Sequence, residues 1–455
     1  MGMAHRIWRV ARLAIVGAAL VSLGAVLFGM SAVARSKKPT HHKPAQHVPA
    51  AEKANFKLFV RGRNVFRNDT FGDQAYWGGQ LQLQKAIEGA ALGGVGPGVS
   101  PKTALAVGLK VDASALPASL VAAIKAGKVD LNSPKTTLAL LKLNAVVGVK
   151  GFFNKEGTLS SVGLTCAVCH STVNNSFAPG IGQRLDGWPN QDLNVGQIVS
   201  LAPNLKPLTD ALGVDTATVK KVLASWGPGK FDAELNLDGK AFRPDGKSAA
   251  TRIPAAYGHL GQDLHDWTGG FGDVTYWNAY VANLEMHGQG NFNDSRFDNP
   301  VKYPVATRNG EFRVRHRRDL VTPALGALQY YELSLVAPKP PKNSFNAAAA
   351  RRGKAIFDGK GTCSSCHMPP QFTDAGYNEH TPSQICIDSF QADRGPDNTY
   401  TTPQLKGLWS RSKRGFFHDG RFKTLLDVVN HYDSCFNLHL SSGQKSDLVQ
   451  YLKSL

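Results

Sequence analysis

The sequence predicts a mainly α-helical protein built as two modules with long loops, and three observations carry that expectation. Leu, Val and Ala recur at three- and four-residue spacing at 80–91, 102–109, 117–126, 136–147 and 216–225, the period of helices with one buried face. The pentapeptide Cys-x-x-Cys-His occurs twice, at 166–170 and 363–367. A Pro-rich joint, APKPPKN at 337–343, separates the two occurrences. A chain of 455 residues with 46 Gly and 25 Pro has room for two domains and many loop breaks.

Read from its start, the chain opens on a basic segment (His5, Arg6, Arg9, Arg12), then an apolar run from Leu13 to Met30, then Ala32 and Ala34 in an Ala-x-Ala pattern. This is the layout of an export signal over 1–34, cleaved after Ala34. The alternative is an uncleaved anchor, since the 18 apolar residues reach the lower limit of a membrane span. Residues 35–54 are Pro, Lys, His and Ala without apolar periodicity and read as a disordered tether. A first domain is expected over 55–336, a linker over 337–344 and a second domain over 345–455. The second domain begins with FNAAAARRGKAIFDGKG, in which Asn346 is placed to cap a helix that Gly359 and Gly361 end.

Four of the six cysteines lie in CAVCH (166–170) and CSSCH (363–367). Two thiols three positions apart can add to the two vinyl groups of one porphyrin, and the next residue, His, then reaches its iron. The expectation is two covalently bound c-type haems, on Cys166, Cys169 and His170 and on Cys363, Cys366 and His367. The architecture becomes two c-type-cytochrome-like haem domains, the N-terminal one enlarged before and after its motif. Cys386 and Cys435 remain. An even pair in an oxidising compartment suggests a disulfide, with two free buried thiols as the alternative.

Opposite ligands for the irons are scarce. Met occurs at 1, 3, 30, 286 and 368, and Met368 adjoins a proximal His, so Met286 is the one plausible thioether ligand. The candidate imidazoles are His259, His265, His287, His316, His380, His418, His431 and His439.

The segment TTPQLKGLWSRSKRGFFHDGRFKTLLDVVNHY (401–432) follows DRG at 393–395 and precedes a SGQKSDLVQYLKSL helix. It resembles the C-terminal haem domain of the di-haem cytochrome c peroxidase superfamily, which includes the methylamine-dehydrogenase-maturing and rubber-oxygenase-like di-haem enzymes. Upstream, FRNDTFGDQAYW (66–77) is similar to the oxygenase branch and NLEMHG (283–288) to the stretch holding the peroxidases' catalytic glutamate. The resemblance implies Glu285 as the proton-moving carboxylate, electron entry at the C-terminal haem and reaction with oxidant at the N-terminal haem. It also implies Ca²⁺ between the domains, although no loop has a recognisable ligand spacing. Where peroxidase members have a ligating Met before His-Asp-Gly, this chain has Phe417, which makes His418 the preferred second ligand of the C-terminal iron. Trp267 and Trp277 are candidate relays between haems or core residues, and Phe271, Tyr276 and Phe292 candidates to line the reactive pocket.

The net charge of +18 suits steering toward an acidic redox partner. It does not point to nucleic acid, because the basic residues lack an aromatic-bearing recognition motif. Arg313, Arg315, Arg317 and Arg318 alternate with Val314 and His316, as on one solvated strand face; a propionate clamp or docking patch is the sharper alternative. The expected activity is an exported, periplasmic-type haem oxidoreductase, peroxidase-like or oxygenase-like, taking electrons from a small redox protein or other donor and using hydrogen peroxide or oxygen. The alternatives are a di-haem electron carrier with no substrate site and a maturation enzyme acting on a partner protein. Membrane contact is expected only through an uncleaved signal.

Overall fold

The computed structural model describes residues 50–455, so the expected signal and most of the expected tether lie outside the described residues. The first helix runs Ala50–Asn68 and starts inside the span expected to be unstructured. Ala, Glu and Lys are strong helix formers, which is why residues 50–54 belong to this helix. It crosses helix Thr322–Leu333 at Gly62, where an added Cβ would meet the Ala327 carbonyl oxygen at 1.9 Å.

The periodic patches become helices Leu83–Glu88, Pro101–Ala106, Ala118–Lys125, Pro134–Lys142 and Thr216–Trp226. The fourth is shorter than the 136–147 pattern, because Asn144 is left-handed (φ 51°) and Val146 pairs with Val111. Helices dominate, and the sheets among the described residues are two-stranded ribbons. Arg313–Arg315 is a strand paired antiparallel with Asn291–Asn293, with Arg313 and Arg315 exposed, as the alternation predicts. Two turns, Ala75–Gln80 and Val281–Glu285, are π-helical. Such turns hold more residues than an α-turn and recur at functional sites.

In the C-terminal segment, Asn346 Oδ1 accepts from the Ala349 N–H at 2.9 Å and caps helix Ala347–Asp358. That helix packs on Ser442–Ser454 at Gly353, where a Cβ would lie 2.1 Å from the Asp447 carbonyl oxygen. Ser441 and Gln444 form a capping box at the start of the last helix. Cys386 and Cys435 form a disulfide. Residues 50–455 fall in one compact unit, and no helix among the described residues is long and apolar enough to cross a membrane.

Candidate functional site

Each Cys-x-x-Cys-His motif opens onto a largely apolar cavity, and the two cavities have nearly equal empty volumes of 1510 and 1520 Å³, mouths included. Cys166, Cys169 and His170 line the first; Cys363, Cys366 and His367 line the second. None of these four cysteines is in a disulfide. His170 Nδ1 lies 3.1 Å from the Pro254 carbonyl oxygen, and His367 Nδ1 lies 3.1 Å from the Phe372 carbonyl oxygen. A carbonyl accepts only, so Nδ1 carries the proton in both rings and Nε2 keeps its lone pair for a metal. Burial lowers the pKa of both histidines to about 4, so both are neutral near pH 7. Paired thiols, an adjacent neutral imidazole with a fixed tautomer and an apolar hollow fit one c-type haem in each cavity.

The second cavity also contains His418, 3% exposed, with its Nε2 unpartnered. Burial pulls its pKa down to about 4, against the pull of Asp419. A neutral buried imidazole with an unpaired nitrogen on a cavity wall is what a second iron ligand requires. His380 lines the same cavity but its Nε2 is held at 3.0 Å by Asp374, which raises its pKa to about 10.

The first cavity is lined by Glu285 and Met286, and by Trp77, Trp277, His259 and His265. Glu285 ends the π turn Val281–Glu285, and its Oε1 is buried without a partner. Burial first, and then the nearby Glu234, push its pKa well above the usual carboxylate range. The other π turn places Trp77 against it. Trp77 Nε1 donates to the Met286 carbonyl at 3.0 Å, and the Tyr76 ring stacks on His287 at 3.7 Å. The two upstream segments singled out in the sequence therefore meet on one wall. His259 accompanies His170 on this cavity, and the His259 and His265 rings lie 4.6 Å apart.

The remaining candidates sort by their surroundings. Trp267 lines the second cavity and Trp277 the first. Phe271 and Phe292 do not line the first cavity; they pack with Tyr280 and Phe297 in an aromatic core, because burial against one another hides more surface than a cavity wall would. Tyr276 packs against that core and donates its hydroxyl to Asp294. His431 Nε2 lies 2.9 Å from the Ile385 carbonyl. Among the described residues, the grouping of three metal-capable side chains is Cys366, Asp374 and His380, and a thiol is a poor partner for Ca²⁺. The buried acids Asp232, Glu234 and Asp238 surround the guanidinium of Arg394. That arrangement was not read from the sequence.

No protein-family model matches the sequence. Over 155 residues the chain is 28% identical to the methylamine utilization protein MauG of Methylorubrum extorquens, a stretch covering 28% of this chain and 42% of that protein. The match agrees with the resemblance of the sequence motifs to the di-haem cytochrome c peroxidase superfamily. It spans less than half the length of that curated relative. Among solved structures, it is similar to a MauG-like protein associated with microbial copper homeostasis, at 14% identity over 48% of this chain and 76% of that one, with a TM-score of 0.31. It is also similar to the diheme peroxidase BthA from Burkholderia thailandensis E264, at 17% identity over 50% and 78% of the two chains, with the same TM-score of 0.31.

Proposed function

We propose that this protein is an exported di-haem c-type oxidoreductase that takes electrons through the C-terminal haem and reacts with peroxide or oxygen at the N-terminal haem. The observation that carries the reading is the difference between the two cavities. The second offers a pair of neutral imidazoles, His367 and His418, suited to a closed electron-transfer iron. The first offers His170 on one hand and on the other the buried carboxyl of Glu285, with its Oε1 unpartnered and its pKa raised by burial.

Bound haem iron would supply the redox chemistry in both cavities. The chain's own residues supply the rest. His170 and His367 are held in the ligating tautomer by the Pro254 and Phe372 carbonyls. The apolar walls exclude water. Glu285 is placed to carry a proton between the two oxygens of a bound oxidant, the step general acid–base catalysis needs during O–O cleavage. The basic surface suits an acidic donor protein. Replacing Glu285 by Gln is expected to lower peroxide turnover by at least ~100-fold while the visible haem spectrum stays the same. Undiminished turnover would refute the role.

The presence of Met286 and the unpartnered ring of His265 on the first cavity favours a second reading, an electron carrier with both irons closed. A high-spin ferric EPR signal from the oxidised or one-electron-reduced protein supports the enzyme; low-spin signals alone in both states support the carrier.

A further inference from the structure

Arg394 and Arg252 are both buried guanidinium groups, but they are neutralised differently. Arg394 meets three carboxylates within the chain. Arg252, 6% exposed, makes no ion pair among the described residues, and its Nε has no partner. Its Nη1 donates to the Phe417 carbonyl at 3.4 Å and its Nη2 to the Arg411 carbonyl. Arg411, half-buried, likewise makes no ion pair among the described residues; its Nη2 donates to the Gln404 carbonyl and its Nε is unpartnered. The nearby Asp419 is already bound by Arg421 and Arg243. Two neighbouring cations without a counter-ion, one of them fully buried, are disfavoured unless an anion joins them. Burial and then Arg411 lower the pKa of Arg252 only to about 10, so it stays charged.

Both residues line the cavities at the Cys-x-x-Cys-His motifs, but not the same set. Arg411 lines the second cavity, whereas Arg252 lines both, along with Ile253, Pro254 and Ala255. This short segment also touches a proposed ligand of each iron. The Arg252 backbone N–H donates to the His418 carbonyl at 2.6 Å, and the Pro254 carbonyl accepts from His170 Nδ1 at 3.1 Å.

We propose that Arg252 and Arg411 bind the carboxylates of the haem propionates, and that Arg252 is a charge shared by the two haems. The proposal rests on the two-haem reading. Haem content, measured by pyridine haemochrome and intact mass, tests that reading separately. A cation common to both sites favours the reduced, less positive iron at each, so its removal lowers both midpoint potentials, while removal of Arg411 lowers only the second.

The experiment is a spectroelectrochemical titration of the holo-protein and its variants. Arg252→Gln is expected to lower both potentials and Arg411→Gln that of the C-terminal haem alone. Each shift should reach at least a tenfold change in the reduction equilibrium, about 59 mV for one electron. Because the Arg252 backbone N–H is retained, the low-spin spectrum of the C-terminal haem should persist. If Arg252→Gln does not yield folded holo-protein, Arg252→Met, which also removes the charge, is titrated in its place. Parallel movement of both haems then supports the shared site. Two haems attached, with one potential or neither responding at position 252, would overturn the proposal.

Discussion

Replacing Arg394 by Met should destabilise the protein in a pH-dependent way. The side chain is 1% exposed and reaches from the C-terminal segment into residues 232–238. Its Nη2 lies 2.8 Å from Asp232 Oδ1, its Nε 2.8 Å from Asp238 Oδ2, and its Nη1 3.9 Å from Glu234 Oε2. Removing one partner of a buried ion pair costs about 3–5 kcal/mol, because the other charge is left uncompensated. At ~2.1 cal/mol/K of unfolding entropy per residue over roughly 400 residues, the melting temperature should fall by about 4–6 °C. Burial already lifts the Asp232 pKa to about 7 against the pull of Arg394. Without the guanidinium, these carboxyls take up protons in the folded state at a pH where the unfolded chain has released them. Folding of the variant therefore gains stability as pH falls. Differential scanning fluorimetry at pH 8 and pH 5.5 should show the gap to wild type narrowing at the lower value. A gap below 1 °C at pH 8, or the same gap at both pH values, would refute the reasoning.

Replacing His418 by Ala should convert the C-terminal haem from a low-spin to a high-spin EPR signal, since the neutral imidazole at its cavity wall is gone; an unchanged low-spin signal dismisses it as ligand. Breaking the Cys386–Cys435 link, which spans 49 positions, should cost about 4 kcal/mol by loop entropy. Urea unfolding of the Cys386→Ser, Cys435→Ser double variant against the oxidised protein measures it, and coincident midpoints would contradict it. Asp388 is held at a pKa of about 2, since Arg243 at 2.9 Å and Arg421 at 2.6 Å overcome the upward push of burial. The stability it adds is present above the unfolded value of 3.8 and is lost as pH falls toward 2. Asp388→Asn should therefore be the less stable protein at pH 6 and equal to wild type near pH 2 in acid-unfolding curves.

The parts legible in the sequence were those whose signal is local. Two pentapeptides marked where the cavities would form, because their thiols and imidazole are adjacent in the chain. Asn346, Gly359 and the Ala-rich run between them specified a helix through its own caps and propensities. Alternating Arg and Val around 313–315 marked a strand through its period. Among eight candidate histidines, by contrast, composition offered no ranking, and only the family resemblance preferred His418. Tertiary packing sorted them, stacking His287 on Tyr76, tying His380 to Asp374, and leaving His418 with a bare nitrogen on a cavity wall. Arg252 and Arg394 looked alike as basic residues in a basic chain. What separates them is whether acids 156 positions away fold back onto them, as Asp238 does onto Arg394. The π turns were also invisible, since one extra residue in a turn leaves the apolar pattern ambiguous between neighbouring periods.

Those turns bear on how this cavity could change over time. In Val281–Glu285 the backbone carries a surplus position relative to an α-helix, and the direction of the Glu285 side chain depends on that surplus. Loss of a single codon there would let the helix rewind and would swing every later side chain by about 100° around the axis. Glu285 would leave the wall and a neighbour would take its place, with no substitution at any lining position. Diversification of this pocket is therefore open to one-residue insertions and deletions, and a comparison of relatives by substitution alone would overlook it.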